Sequence, residues 1–305
     1  MLSVILPAYN EEKMLGKAAN VISKILEDAK IPYELVFVND GSKDNTWNEI
    51  EKASAANPNV VGIHFSRNFG KESAMFAGLA NARGECCAVM DCDLQHPPEI
   101  LVEMYRLWEQ GYEVVEAVKR SRGKESIFHK ASAGMFYKLI SKAVKIDMSR
   151  ASDFKLMDRK AVDALLAMPE KNAFFRALSS WIGYNTISVE FDVQEREEGE
   201  SKWSTWSLVK YAITNIVAFS AAPMQIVTVA GVFVFLLGVV MGIQTLVKFC
   251  MGHAVEGFTT VILLLLIIGS IIMISLGIIG YYISKIYEEV KGRPRYLISK
   301  KIGGN

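Results

Sequence analysis

Two long stretches without a charged residue govern what this chain can fold into. No Asp, Glu, Lys or Arg occurs from Tyr211 to Val247, nor from Phe258 to Ser284. Pro223 divides the first stretch and leaves Met224–Val247, 24 residues; the second has 27. About 20 apolar residues carry a helix across the hydrocarbon core, and longer runs cross with tilt. Only Lys248–Gly257 separates the two, so they read as a transmembrane hairpin whose ends emerge on one side. The chain's 51% hydrophobic content is concentrated here, after Tyr211.

Charge orients the hairpin. Lys202 and Lys210 precede it; Lys285, Lys291, Arg293, Arg295, Lys300 and Lys301 follow it; the connecting loop offers only Lys248 and His253. The positive-inside bias therefore expects residues 1–203 and the tail in the cytoplasm, at a plasma or inner membrane. Leu2–Leu6 is too short for a signal peptide and lacks a basic lead, so the front domain is expected never to be exported. Residues 204–222, led by Trp203, Trp206 and Tyr211, read as an interfacial helix. Residues 285–305 read as a basic cytoplasmic tail. Gly238 and Gly242 form a GxxxG pair that packs either the hairpin or a second subunit, the one hint of a homo-oligomer. A net charge of +1 gives no ground for a nucleic-acid partner.

The front two-thirds alternates short apolar runs with helical stretches. Leu2–Leu6, Tyr33–Asn39, Val60–Ser66, Cys86–Asp91, Glu113–Lys119 and Thr186–Val193 read as strands. Helices are expected at Glu11–Ala29, capped by Asn10, at Asp44–Ala55, Lys71–Ala82, Pro98–Gln110, Ser126–Val144, Arg159–Ala167 and Phe174–Ile182. The alternation predicts an α/β, Rossmann-like, mostly parallel sheet, in which ligands bind at the carboxyl ends of the strands. Cys86, Cys87 and Cys92 crowd one strand without a CxxC spacing and read as buried apolar residues in a reducing compartment.

Polar residues gather at those strand ends: Pro7-Ala8-Tyr9-Asn10, Asp40-Gly41-Ser42, Arg67-Asn68-Phe69 and Asp91-Cys92-Asp93. In extended backbone, residues two apart face the same way, so Asp91 and Asp93 present paired carboxylates. A divalent cation bridging a diphosphate would offset their repulsion. Each cluster alone also reads as a turn. No GxGxxG follows the first strand and no GxxxxGK[ST] occurs, which disfavours dinucleotide and P-loop sites.

Leu6-Pro-Ala-Tyr-Asn-Glu-Glu, Val38-Asn-Asp-Gly-Ser and Asp91-Cys-Asp-Leu-Gln-His-Pro-Pro-Glu, followed by Arg196-Glu-Glu-Gly-Glu-Ser-Lys-Trp and the two-span tail, resemble family-2 glycosyltransferases of the GT-A fold. More narrowly the chain is similar to the polyprenyl-phosphate glycosyltransferases, which include dolichol-phosphate mannose synthases and bacterial undecaprenyl-phosphate glucosyl- and aminoarabinosyl-transferases. The resemblance implies an inverting transfer of sugar from a UDP- or GDP-linked donor to a polyprenyl phosphate, with Mg²⁺ or Mn²⁺ as cofactor. It places Pro7, Ala8, Tyr9, Glu11 and Asp40 around the nucleotide, Asp91 at ribose or metal, and Asp93 on the metal. Gln95, Lys119, Arg122, Arg196, Ser201 and Lys202 would meet phosphate groups, and Asp153 would lie beneath the sugar. Catalysis would rest on Asp93, Asp153, Arg196 and Lys202. Relatives often carry Arg where this chain has Lys155, and Lys cannot make the bidentate phosphate grip.

Two other readings compete. A processive polysaccharide synthase shares such a core but carries a QxxRW motif, whereas the nearest stretch here is Arg176-Ala-Leu-Ser-Ser-Trp181. A non-catalytic, membrane-tethered nucleotide-sugar scaffold would not be expected to retain every carboxylate.

Overall fold

Strand, helix and strand follow one another through the front of the chain, as the apolar periodicity requires. The computed structural model describes residues 1–120, 152–171, 174–192, 222–252 and 257–304. The elements are β1 (Leu2–Ala8), α1 (Leu15–Asp28), β2 (Tyr33–Asn39), α2 (Thr46–Ala56), β3 (Val60–Phe65), α3 (Lys71–Asn81), β4 (Cys86–Val89), α4 (Ile100–Glu109), β5 (Val114–Lys119), β6 (Lys155–Asp158), α5 (Arg159–Leu166), α6 (Phe175–Trp181), β7 (Thr186–Phe191), α7 (Ala222–Cys250), α8 (Phe258–Val290) and β8 (Ile298–Ile302). The helix expected at Ser126–Val144 lies outside the described residues.

One eight-stranded sheet has the order β7-β5-β6-β4-β1-β2-β3-β8. β1 pairs in parallel with β2 and β4, β2 with β3, and β5 with β7. β6 runs antiparallel to both β4 and β5, and β8 antiparallel to β3. The central strands are apolar on both faces because helices cover both; Val4, Ile5, Leu35, Val36 and Phe37 are fully buried. Cys86, Cys87 and Cys92 are buried free thiols within this core.

Three expectations need correction. Asn10 does not cap the first helix: α1 begins at Leu15, and Asn10 adopts φ 56° with its side-chain oxygen accepting from the Lys43 amide. The tail does not stand apart as a basic segment, because β8 adds to the sheet edge at β3. The second long helix also continues past Ser284 to Val290, where Lys285 pairs with Glu288 at 2.8 Å.

The chain divides into two compact units, Met1–Leu208 with Arg293–Asn305, and Val209–Gly292. In the second unit α7 and α8 pack against each other, and both are long and apolar enough to cross a membrane. Large apolar side chains such as Phe233, Phe235, Leu265 and Met273 are exposed along them. A Cβ added at Gly238 or Gly242 would meet nothing within 4 Å among the described residues.

Candidate active site

Topology delivers the polar residues to one edge of the sheet. β1, β2, β3, β4 and β5 all end there, so the loops after Ala8, Asn39, Phe65, Val89 and Lys119 share that side. β6 runs the other way, and Val89 pairs with Lys155. Asp153, just before β6, therefore arrives beside Asp91, just after β4.

The first two loops are stitched together. The Asn10 amide donates to Ser42 Oγ at 2.9 Å and the Glu11 amide to Thr46 Oγ1 at 2.9 Å, while Asn39 Oδ1 accepts from the Ser42 amide at 2.9 Å. Gly41 sits at φ +63°, and a Cβ there would drive into the backbone of Arg67 and Asn68, so only glycine fits. Beside this seam Ala8 is buried, Pro7 and Glu11 are partly exposed, and Tyr9 is 37% exposed. An open tyrosine ring next to a buried turn suits a base-binding wall.

Asp40 is 3% exposed and spends its carboxylate on the third loop: Oδ1 accepts from the Phe69 amide at 2.6 Å and Oδ2 from the Gly70 amide at 2.9 Å. Burial raises its pKa above the usual carboxylate value, and those two amides together with Arg67 only limit the rise. Its evident task is to fix the loop that leads into α3.

A chain of alternating charge crosses the edge. Lys71, the first residue of α3, places Nζ 2.6 Å from Asp91 Oδ1 and 3.1 Å from Asp153 Oδ2. Arg176, on α6, meets Asp153 from the other side with Nε 2.6 Å from Oδ1 and Nη2 2.8 Å from Oδ2. Burial works to raise the Asp153 pKa, but Lys71 and Arg176 overcome it and hold the carboxyl well below its ordinary range. Asp91 is lowered by the same contest, burial against Lys71. Lys71 is raised in turn: burial opposes its charge, and Asp91 and Asp153 outweigh burial.

The supports of this chain are also visible. Glu72 accepts from the Phe175 amide at 2.9 Å and so holds the start of α6. Lys155 is buried, donates to Ser179 and Ser180 at 3.0 and 3.1 Å, and pairs with Glu116 at 3.1 Å. Both serines in turn donate to the Arg176 carbonyl. The sequence left the role of Lys155 open; the structure makes it a bolt between β6 and α6 rather than a phosphate ligand.

Asp93 Oδ1 accepts from the Gln95 amide at 3.1 Å, which folds the loop after β4 back on itself. His96 is buried there, stacked on Phe154 at 5.1 Å between ring centroids. Its Nδ1 has no hydrogen-bond partner among the described residues. Lys119 is exposed at the end of β5 and depresses the His96 pKa, after burial. Arg122, Arg196, Ser201 and Lys202, and the proposed interfacial helix up to residue 221, lie outside the described residues. Among the described residues no three His, Cys, Asp or Glu side chains cluster as a metal cage. Asp91 and Asp93 are hard oxygen donors of the type Mg²⁺ takes, one or two carboxylates with substrate phosphates and water completing its shell.

Sequence reasoning missed Lys71 and Arg176. Lys71 was visible only as the start of a predicted helix. Arg176 stands out in the sequence only within Arg176-Ala-Leu-Ser-Ser-Trp181, which lacks the synthase motif.

Known proteins share these features. The description Glycosyl transferase family 2 matches residues 3–166, and GtrB C-terminal hairpin matches residues 222–286. The chain is 39% identical to the uncharacterized glycosyltransferase YkcC of Bacillus subtilis over 99% of this chain and 94% of that one. It is 37% identical to the SfII prophage-derived bactoprenol glucosyl transferase of Shigella flexneri over 100% and 99%. Its fold is similar to glucosyl-3-phosphoglycerate synthase from Mycobacterium tuberculosis, crystallised with Mn²⁺, uridine diphosphate and phosphoglyceric acid, with TM-score 0.52, 18% identity and coverage of 71% and 76%. With a mixed GT-A sheet gathering its carboxylates at one edge and a family match over more than half its length, this chain belongs to glycosyl transferase family 2.

Proposed function

We propose that this glycosyltransferase moves a sugar from a nucleoside-diphosphate donor to a polyprenyl phosphate at the cytoplasmic face of a membrane. The observation that carries the acceptor is end-to-end likeness to a bactoprenol glucosyl transferase, with the hairpin matched as well as the catalytic unit. The chain also leaves the catalytic unit before the hairpin and returns to it as β8, which requires an even number of crossings and agrees with both flanks being cytoplasmic.

The chemistry follows from charge. The acceptor phosphate has a second pKa near 6 and is largely dianionic at neutral pH. Its oxygen attacks the anomeric carbon in line, the bond to the diphosphate oxygen breaks, and the configuration inverts. No strong base is needed, in keeping with an Asp153 whose proton affinity is suppressed by its two cations. Asp153 instead orients the donor sugar while Arg176 fixes its carboxylate. Tyr9, Pro7, Ala8, Glu11 and the Asp40-anchored loop form the nucleotide wall. Asp91 and Asp93 would hold a divalent cation, which supplies charge to offset the leaving diphosphate. Gln95, Lys119, Arg122, Arg196, Ser201 and Lys202 are assigned to the phosphate groups of donor and lipid, where cations relieve the repulsion between two anions.

The test is to incubate the detergent-purified protein with undecaprenyl phosphate, Mg²⁺ or Mn²⁺, and a panel of UDP- and GDP-sugars, reading lipid-linked sugar by mass. One product that disappears with chelator and with Asp93→Asn supports the reading. Donor binding without transfer to verified, accessible lipid would remove polyprenyl phosphate as the acceptor.

A further inference from the structure

Lys71 stands where a second cation is expected. Its Nζ is 2.6 Å from Asp91 Oδ1, and Asp91 is one of the two carboxylates proposed above to hold a divalent ion. A metal and an ammonium cannot share that oxygen without repulsion. The two carboxylates that Lys71 bridges are not equivalent. Asp153 keeps Arg176 on both of its oxygens if Lys71 moves. Asp91 has Lys71 as its one ion-pair partner among the described residues, so it alone would be released.

Two carboxylates hold Lys71, so only a ligand of at least comparable negative charge can draw it away. The Lys71 side chain is 43% exposed, and a lysine carries a compact charge on a flexible stem that can be handed from one anion to another by rotation. The partner that could draw it off is a diphosphate arriving at the same sheet edge.

Building on the function proposed above, we propose that Lys71 is the resident counter-cation of Asp91: it occupies the carboxylate until a nucleoside diphosphate takes over its ammonium, so that the divalent ion binds with the nucleotide rather than before it. Lys71 then faces the diphosphate, and the site never carries two uncompensated carboxylates or two competing cations. The ligands concerned are a nucleoside diphosphate and Mn²⁺ or Mg²⁺, bound in that linked order.

Mn²⁺ binding to the purified full-length protein in detergent tests this, read from the electron-paramagnetic-resonance signal of free Mn²⁺, with and without UDP or GDP. Wild type is expected to bind Mn²⁺ weakly alone and more tightly with nucleotide. Lys71→Met should bind Mn²⁺ alone about tenfold or more tightly than wild type, as removal of a contacting like charge implies, and should gain less from nucleotide. Lys71→Arg keeps the charge and should behave as wild type in Mn²⁺ alone. Lys71→Met/Asp91→Asn should lose the gain. Thermal unfolding establishes that each variant is folded, and Lys71→Gln, which also removes the charge facing Asp91, takes the place of the methionine variant if that one is not. Equal Mn²⁺ affinity in wild type and Lys71→Met, with nucleotide still strengthening both alike, would overturn the Lys71 proposal and leave the metal site standing. Absence of Mn²⁺ binding in every protein, even with both nucleotides, would overturn the Asp91–Asp93 metal assignment and the Lys71 proposal with it. Sugar transfer to lipid is scored separately, so failure of the acceptor reading is distinct from either.

Discussion

Arg176 holds Asp153 through two nitrogens, Nε 2.6 Å from one carboxylate oxygen and Nη2 2.8 Å from the other. Arg176 lies on α6 and Asp153 in the approach to β6, and the planar fork fixes the carboxylate in angle as well as in place. Lysine at position 176 would keep the charge and lose the fork. Arg176→Lys is therefore expected to lower kcat roughly ten- to a hundredfold, the worth of a hydrogen bond to a charged group, with a smaller effect on donor KM. Steady-state kinetics with saturating lipid checks this. Unchanged kcat would mean that the orientation of Asp153 is immaterial to transfer.

Lys155 secures the helix that carries Arg176. Its ammonium is buried and meets Glu116, Ser179 and Ser180. Lys155→Met removes the cation and leaves Glu116, whose side chain is 14% exposed, as an unpaired charge. Breaking such a pair costs about 3–5 kcal/mol. The variant is expected to unfold at a markedly lower temperature and to lose activity as α6 loosens. An unfolding midpoint equal to that of wild type would show that the cluster adds nothing to stability.

The carboxylates were legible in the sequence because strand–helix alternation fixes which end of each strand faces the ligand. The placing of Asp40 and Asp91 needed no more than that, whereas Asp93 lies in a turn beyond β4, which ends at Val89, and not in the extended backbone expected. The cations were not legible. Lys71 and Asp153 are 82 residues apart, and they meet only because β6 turns antiparallel and returns the chain to the end of β4. Periodicity reports burial and is silent on strand direction. Asn10 misled for a related reason: its side chain is taken by a loop 33 residues away, so α1 starts later than its local cap signal indicates. The segment Ile298–Ile302 hid because lysines on an edge strand look like a charged tail; such lysines also discourage further strands from adding.

Glu72 should give the protein a pH signature. Burial, with Asp153 nearby, raises its pKa from 4.5 to about 7, while the Phe175 amide and the Lys71 and Arg176 charges limit the rise. A carboxyl with a raised folded-state pKa holds its proton in the native state after the unfolded chain has lost it. Stability therefore falls as pH rises from about 4.5 to about 7. Asp153 acts with the opposite sign, since its depressed pKa stabilises the fold above its unfolded value of 3.8 and is lost only on stronger acidification. Glu72→Gln keeps an oxygen for the Phe175 amide and should flatten the fall between pH 5 and 7. Thermal midpoints measured across that range check it, and parallel curves for wild type and Glu72→Gln would rule out Glu72 as the titrating group.

The C-terminal strand should act as a structural part of the catalytic unit. Tyr296 stacks on Phe65 with centroids 5.2 Å apart and planes 10° from parallel, and Ser299 Oγ donates to the His64 carbonyl. Gly62 has no side chain, and the space is filled by Ile50 and Ile302; a Cβ there would clash with both. An aromatic pair alone contributes about 0.5–1.5 kcal/mol beyond the area it buries. Truncation after Arg295 would also strip the ladder from β3 and leave an unpaired edge, a template for association with other chains. The truncated protein is expected to unfold at a lower temperature and to aggregate more readily in size-exclusion chromatography. Gly62→Val should reproduce the lower midpoint with the tail still present, by expelling Ile302. If the truncated chain keeps the wild-type midpoint, β8 is not holding the sheet edge, and any loss from Gly62→Val comes from the clash with Ile50 alone.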